Sequence, residues 1–140
     1  LLREDLATAI ETAITEKIER LEAKRFGLTK TPRRALDATD TSPRSRHLPA
    51  TVRRSVRERD GDQCTFVLQN GNRCPEHRSL EFHHRNAFAR GGDHDPENVG
   101  LMCRPHNAYV AELDFGKAHM AKYRRRGDES DGATPAVRTF

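Results

Sequence analysis

Residues 80–107 decide the fold of this chain, and they read LEFHHRNAFARGGDHDPENVGLMCRPHN. The segment Leu80–His84 alternates apolar and polar side chains, which predicts a β-strand. Residues 85–98 are rich in Gly, Asp and Pro and therefore predict a loop. Residues 99–103 form a second short apolar run, and Pro105 suits the first turn of a helix. We expect a strand, a loop, a second strand and a helix, in that order.

Four polar side chains in this segment are candidates for catalysis: His83, His84, Asn98 and Asn107. Adjacent histidines on a strand point to opposite faces, so one can bind a metal while the other activates water only if the backbone turns there. A neutral imidazole, with an ordinary pKa of about 6.5, can take a proton from water at neutral pH. One imidazole and one amide oxygen suit Mg²⁺, which keeps several waters, and would also accept Mn²⁺, Ni²⁺ or Zn²⁺.

A second metal site is predicted from the cysteines. The chain has three cysteines, an odd number that does not make a disulfide framework. With one histidine they form a candidate Cys3His set for a structural zinc: Cys64, Cys74, Cys103 and His106. A domain of about 60–70 residues often needs such a metal because its core is small.

The spacing of the first two cysteines leaves one question open. Asn70-Gly71 follows a β-rich run and is a strong hairpin signal, which could bring Cys74 back to Cys64. A regular two-residue loop, however, would place Cys64 opposite His77 and not opposite Cys74. Either the hairpin is irregular, or His77 replaces one of the thiols.

Composition and periodicity divide the chain into four parts. Residues 1–26 repeat Leu and Ile every three or four positions, which predicts an amphipathic helix that ends a truncated upstream region. Residues 27–51 are a basic linker with little expected structure, 52–117 hold the predicted metal sites, and 118–140 read as a basic, disordered tail. The apolar stripe of the first helix must be covered, by self-association or by an upstream domain.

The start of the third part predicts a short helix with Thr51 as N-cap and with Val52 and Val56 on one face. The overall expectation is a small α+β fold. The absence of a long apolar run argues against a membrane partner, and we expect a cytoplasmic protein with reduced cysteines.

Positive charge is concentrated before the histidine segment, since residues 24–60 carry a net charge of +7. Such a surface suits a polyanion, because Lys and Arg release counterions from phosphates. Six arginines surround the candidate site and are predicted to contact a nucleic-acid backbone: Arg53, Arg54, Arg57, Arg85, Arg90 and Arg104. Three other histidines, His47, His94 and His119, lie outside the pattern and are predicted to be surface residues.

From about residue 53 to residue 116, the chain resembles the HNH (ββα-metal) endonuclease family. The resemblance is carried by His83-His84, Asn98 and Asn107 inside the cysteine bracket. It implies that His83 and Asn107 hold one divalent cation, that His84 is the general base, and that Asn98 ties down the loop.

Two positions depart from the family's usual pattern. Arg85-Asn86-Ala87 stands where an aliphatic residue and a nearby proline are usual, and Asn107 stands where a histidine is common. The resemblance implies hydrolysis of phosphodiester bonds, and the expected substrate is double-stranded DNA. The alternative is a zinc-containing module that binds nucleic acid without cutting it.

Overall fold

The computed structural model describes residues 2–123. Four helices and two strands follow in chain order: α1 (Leu2–Phe26), α2 (Ala50–Asp60), β1 (Leu80–His84), β2 (Val99–Cys103), α3 (Arg104–Phe115) and α4 (Lys117–Ala121). Two single turns of 3-10 helix, Phe88–Arg90 and Pro96–Asn98, lie in the loop between the strands. The expected order of strand, loop, strand and helix is confirmed, and the fold is a small α+β one.

The sheet has two antiparallel strands, and their register places His83 opposite Gly100 and His84 opposite Val99. The next residue after β2 begins α3, so the first turn of the helix lies at the end of the sheet. The outer edge of β2 is hydrogen-bonded as well. The Leu101 N–H donates to Asp60 Oδ2 at 2.8 Å, and the Leu101 carbonyl accepts from Thr65 N at 2.7 Å.

The core lies between α2, the sheet and the segment that carries the first two cysteines. Val52, Val56, Val99 and Leu101 are fully buried, as the shared face of the two valines predicted. Thr51, predicted as the N-cap of α2, lies inside the helix instead. Pro49 occupies the cap position, and the Thr51 hydroxyl shares a hydrogen bond of 2.9 Å with Thr39 Oγ1.

Helix α1 ends at Phe26, followed by Gly27, where the sequence predicted the stop. Phe26 is its buried anchor and packs edge-on against Phe82 at 5.8 Å between ring centroids. The rest of the predicted stripe is exposed, with each of these side chains more than half accessible: Leu6, Ile10, Ile14, Ile18 and Leu21. No contact within the described chain therefore covers the apolar face of this helix.

The segment 27–49 contains no helix or strand, as expected, but it has more fixed contacts than a free linker would. Leu48 is buried in the core. The carbonyls of Thr41 and Ser45 accept hydrogen bonds from His94, which lies in the loop between the strands. The segment therefore has fixed contacts with that loop, although it forms no helix or strand.

Part of the predicted tail is also ordered, since Lys117–Ala121 forms α4. The prediction of disorder from residue 124 onward lies outside the described residues. Among residues 2–123 there is no helix with the length and apolar character needed to cross a lipid bilayer.

Candidate metal centre and histidine cluster

The three cysteines and His106 converge in the interior. All four are buried, and their ligand atoms lie within 4.8 Å of one another. His106 Nδ1 is 3.2 Å from Cys103 Sγ and 3.6 Å from Cys64 Sγ. Ligands at bond lengths of about 2.0–2.3 Å in a tetrahedron lie about 3.5–3.8 Å apart, so only small adjustments separate this cluster from a zinc site. These residues could hold a metal such as zinc.

The hairpin register explains how Cys74 reaches this cluster. Leu68 N donates to the Asn72 carbonyl and Cys74 N donates to the Phe66 carbonyl, so the loop has three residues and not two. Gly71 closes it with a φ of +80°, the left-handed conformation that this type of loop requires. One extra loop residue shifts the pairing by one position, which moves Cys74 to the face that carries Cys64.

The alternative ligand His77 is therefore not needed. Its ring is exposed, and Nδ1 lies 2.7 Å from the Asp62 carbonyl oxygen, away from the thiols. The open question of the sequence is resolved in favour of three cysteines, with a three-residue loop as the irregularity.

Burial favours the neutral form of two of the thiols, Cys74 and Cys103. Desolvation raises the pKa of Cys103 to about 12 and also raises the pKa of Cys74. Desolvation lowers the pKa of His106, which keeps the imidazole neutral. A neutral imidazole and thiols that can exchange their protons for a cation are what a zinc site requires.

The second pair of candidate ligands also meets. His83 Nδ1 lies 2.9 Å from Asn107 Oδ1, across the junction of β1 and α3. The orientation of the amide is set by Glu81, whose carboxylate accepts from Asn107 Nδ2 at 2.6 Å. A carboxylate only accepts, so the amide nitrogen faces Glu81 and the amide oxygen faces His83.

His84 follows His83 in β1, and its side chain contacts a different group. Its Nε2 is 3.0 Å from His94 Nδ1, and its ring is partly buried next to Phe88. Desolvation lowers the pKa of His84, and the neighbouring imidazoles of His94 and His83 lower it further. A lowered pKa keeps the imidazole neutral, and so able to accept a proton, at neutral pH.

His94 was predicted to be a surface residue, and that prediction is wrong. Only 2% of its surface is exposed, and its ring stacks on Phe88 with centroids 5.5 Å apart. Burial is possible because both ring nitrogens have partners, the Ser45 carbonyl and His84. The other two histidines, His47 and His119, are exposed as predicted.

Asn98 forms the side-chain hydrogen bonds expected of a residue that ties down the loop. Its Oδ1 accepts from Asn86 N at 2.7 Å, while its Nδ2 donates to the carbonyls of Asp93 and Asn86 at 2.9 and 3.3 Å. Gly92 allows the loop to close this tightly, because a Cβ there would lie 1.9 Å from the Asn86 oxygen. The loop is thus fixed on both sides of His94.

The arginines of α2 have structural partners within the chain. Arg53 donates to the carbonyls of Lys24 and Arg25 at the end of α1, and Arg54 donates to Gly27. Arg57 lies over the Phe26 ring at 4.5 Å and pairs with Asp62 and Glu22, so all three join α2 to α1.

The remaining three arginines lie in the loop between the strands and at the start of α3. Arg90 donates to the Asp114 carbonyl and lies over the Phe115 ring at 5.0 Å. Arg85 is exposed directly after His84, and Arg104 is exposed at the start of α3.

Two residues that shape the site were not identified from the sequence. Glu81 could have been found, because it is two residues from His83 and must point to the same face of the strand. His94 carries no such signal, because its burial depends on the path of residues 41–45. Comparison with protein-family models, with curated proteins and with solved structures gives no match.

Proposed function

We propose that this chain is a metal-dependent endonuclease of the HNH (ββα-metal) type that hydrolyses phosphodiester bonds of DNA. The observation that carries the proposal is the 2.9 Å approach of His83 Nδ1 to Asn107 Oδ1, with His84 the next residue in β1. The resemblance of the sequence to this family assigns a role to each of these residues. The order of strand, loop, strand and helix is consistent with it.

The two candidate ligands fit an octahedral cation. Two ligands at right angles around such a cation, with bonds of about 2.1 Å, lie about 3.0 Å apart. His83 and Asn107 would hold the cation, which would be Mg²⁺, with Mn²⁺, Ni²⁺ or Zn²⁺ as alternatives. When bound, it would bind the scissile phosphate and stabilise charge on the leaving oxygen. The proton on His83 Nδ1 must leave that nitrogen, and a neutral imidazole can carry it on Nε2 instead.

Three further side chains would act around the bound cation. His84 is the general base that accepts a proton from the attacking water, a contribution of about 10²–10⁴ in rate. Glu81 keeps the oxygen of the Asn107 amide turned toward His83. Asn98 fixes the loop that supports His84 through its hydrogen bonds to Asn86 and Asp93.

The Cys3His cluster would carry a structural zinc. Four protein ligands would fill a tetrahedral sphere and leave no position for water, which is typical of structural sites. The cluster joins the hairpin around Gly71 to the junction of β2 and α3, so it would hold the first turn of the helix that carries Asn107.

The proposed partner is double-stranded DNA, contacted through phosphates. Arg85 directly follows His84 in sequence, Arg90 lies in the loop between the strands, and Arg104 begins α3. Arg53, Arg54 and Arg57 already bind groups within the chain, but each guanidinium has five donors and can contact a phosphate as well. Such contacts position a duplex without reading its sequence.

The competing proposal is a zinc module that binds nucleic acid without cutting it. It would use the same Cys3His cluster and the same arginines, but it has no use for a neutral imidazole next to a pair of metal ligands. Binding of DNA with no cleavage under any metal condition would favour it.

Supercoiled plasmid is the substrate that tests the proposal. Zinc-loaded wild type should nick or cut it when Mg²⁺ or Mn²⁺ is added, and not when the added metal is withheld. Withholding is preferable to chelation, because a chelator would also remove zinc. His84→Ala should cleave about 10²–10⁴ times more slowly, whereas His119→Ala, which changes an exposed histidine, should match the wild type. Equal cleavage by His84→Ala and the wild type would contradict the proposal.

A further inference from the structure

His94 is the most deeply buried histidine in the described part of the chain, and three neighbours fix its position. Its backbone N–H donates to the Thr41 carbonyl at 2.7 Å, and its ring Nε2 lies 2.7 Å from the Ser45 carbonyl oxygen. One face of the ring stacks on Phe88, with an angle of 8° between the two planes. The remaining ring nitrogen, Nδ1, faces His84 Nε2 at 3.0 Å.

These contacts determine which nitrogens carry protons. A carbonyl oxygen only accepts, so His94 Nε2 must carry a hydrogen and donate it to Ser45. A second proton on Nδ1 would create a buried charge whose ring partners are both neutral, which is costly. Nδ1 therefore has a free lone pair and accepts a hydrogen from His84 Nε2. It follows that His84 carries its own proton on Nε2 and leaves Nδ1 unprotonated.

We propose that His94 is a positioning residue that fixes the tautomer and ring orientation of His84. The role rests on the proposed function, in which His84 is the base. In the reaction, a water proton moves to His84 Nδ1 while the water oxygen bonds to phosphorus. The bond from phosphorus to the leaving oxygen breaks, and that oxygen takes a proton from solvent. His84 then bears a positive charge, and its Nε2–H bond to His94 becomes stronger.

The same contact therefore holds the His84 ring in one orientation before and after it takes the proton. Residues 41–45 take part indirectly, because the Ser45 carbonyl is the reason that His94 presents a lone pair to His84. This part of the chain precedes α2, far in sequence from the histidine motif. The tautomer of His84 would thus depend on residues 41–45, which lie outside the histidine motif.

Two substitutions at one position separate a positioning role from simple packing. His94→Phe keeps a ring of similar size on Phe88 but has no acceptor for His84. His94→Asn is smaller but places an amide oxygen near the position of Nδ1. Both are made in the full chain and checked for bound zinc and for thermal unfolding.

We expect His94→Phe to lower kcat for plasmid cleavage about 10- to 100-fold, the effect typical of losing a hydrogen bond that orients a metal-site residue. KM for DNA should stay the same, and His94→Asn should recover most of kcat. If His94→Phe retains the wild-type kcat, or if its kcat is higher than that of His94→Asn, the positioning role of His94 is overturned.

Nuclear magnetic resonance of the wild type gives a readout that needs no activity. With ¹⁵N-labelled histidine, His84 should show a hydrogen on Nε2, none on Nδ1, and a ¹⁵N–¹⁵N coupling to His94 across the hydrogen bond. A hydrogen on His84 Nδ1 without the coupling would overturn the inference even if both variants failed to fold. If the wild type shows this signature but never cleaves DNA, the proposed function fails and the tautomer assignment stands.

Discussion

At the scale of single residues, Asp60 shows how one buried carboxylate joins two elements. It lies at the end of α2 with 4% of its surface exposed. Its Oδ2 accepts from Leu101 N in β2, and its Oδ1 accepts from Arg59 Nε at 2.7 Å. Arg59 Nη2 donates to the Val99 carbonyl at 2.6 Å. Asp60 and Arg59 together therefore bind the outer edge of β2.

Asp60→Asn should therefore destabilise the fold, because it removes the charge that compensates Arg59. Loss of one partner of a buried pair costs about 3–5 kcal/mol, and the partial exposure of Arg59 reduces this to about 2–4 kcal/mol. Asp62→Asn is the matched control, since Asp62 also pairs with an arginine but is about half exposed. It should cost about 0–1 kcal/mol. Urea unfolding with zinc present measures the free energy of unfolding of both variants. Equal losses of stability would show that the buried Asp60 contributes no more than the exposed Asp62.

The candidate site illustrates what could and could not be predicted residue by residue. His83, His84, Asn98 and Asn107 were selected by the resemblance to the HNH family, since strand alternation by itself does not assign a role to either histidine. The burial of His94 does not follow, because it depends on contacts with residues about fifty positions earlier. The sequence did not predict that Arg53 and Arg54 bind backbone carbonyls within the chain, because an arginine can bind carbonyl oxygens as well as phosphates.

At the scale of elements, the loop around Gly71 decides whether Cys74 joins the Cys3His cluster. The sequence predicted a hairpin at this place but not its register, because Asn-Gly fits loops of two and of three residues. The structure has three, and the difference of one residue turns Cys74 toward Cys64. The length of this loop thus places a candidate metal ligand, Cys74, that lies three residues beyond Gly71.

Gly71→Ala tests this dependence. The left-handed conformation should cost alanine about 1 kcal/mol, and zinc affinity should fall about fivefold, because that conformation is needed for the bound state. Gly116→Ala also strains the backbone, at a φ of +86° and a ψ of 144°, and again no atom lies within 4 Å of an added Cβ. It lies at the end of α3 and should leave zinc affinity unchanged. Competition with a zinc-binding dye gives both affinities, and an equal decrease in the two variants would contradict the role of the loop.

At the scale of the whole molecule, the core and the Cys3His cluster are one structure. Cys64, Cys74 and Cys103 belong to the buried core together with Val56 and Leu101. Helix α1 contacts this unit at its C-terminal end, through Phe26 and through hydrogen bonds from Arg53 to the carbonyls of Lys24 and Arg25. The sequence predicted the helix correctly, but it could not predict what its exposed apolar side chains contact.

Loss of a zinc ligand should destabilise the entire core. His106→Gln removes the nitrogen ligand, so the variant should bind zinc at least tenfold more weakly and unfold at a lower temperature at fixed zinc. His77→Gln is the control, because His77 faces Asp62 outside the cluster. Zinc content by elemental analysis and unfolding by circular dichroism are the measurements. One tightly bound zinc in the His106 variant, or none in the wild type, would argue against the site.

Binding of Mn²⁺ to the zinc-loaded chain is the most direct test of the proposed centre, and electron paramagnetic resonance can follow it. The wild type should bind one Mn²⁺ and show a directly coordinated histidine nitrogen, from His83. Asn107→Ala should weaken binding at least tenfold, whereas Asn72→Ala, at an exposed turn, should not. If Mn²⁺ binds equally well to the Asn107 variant, or binds the wild type without a nitrogen ligand, His83 and Asn107 do not form a metal centre.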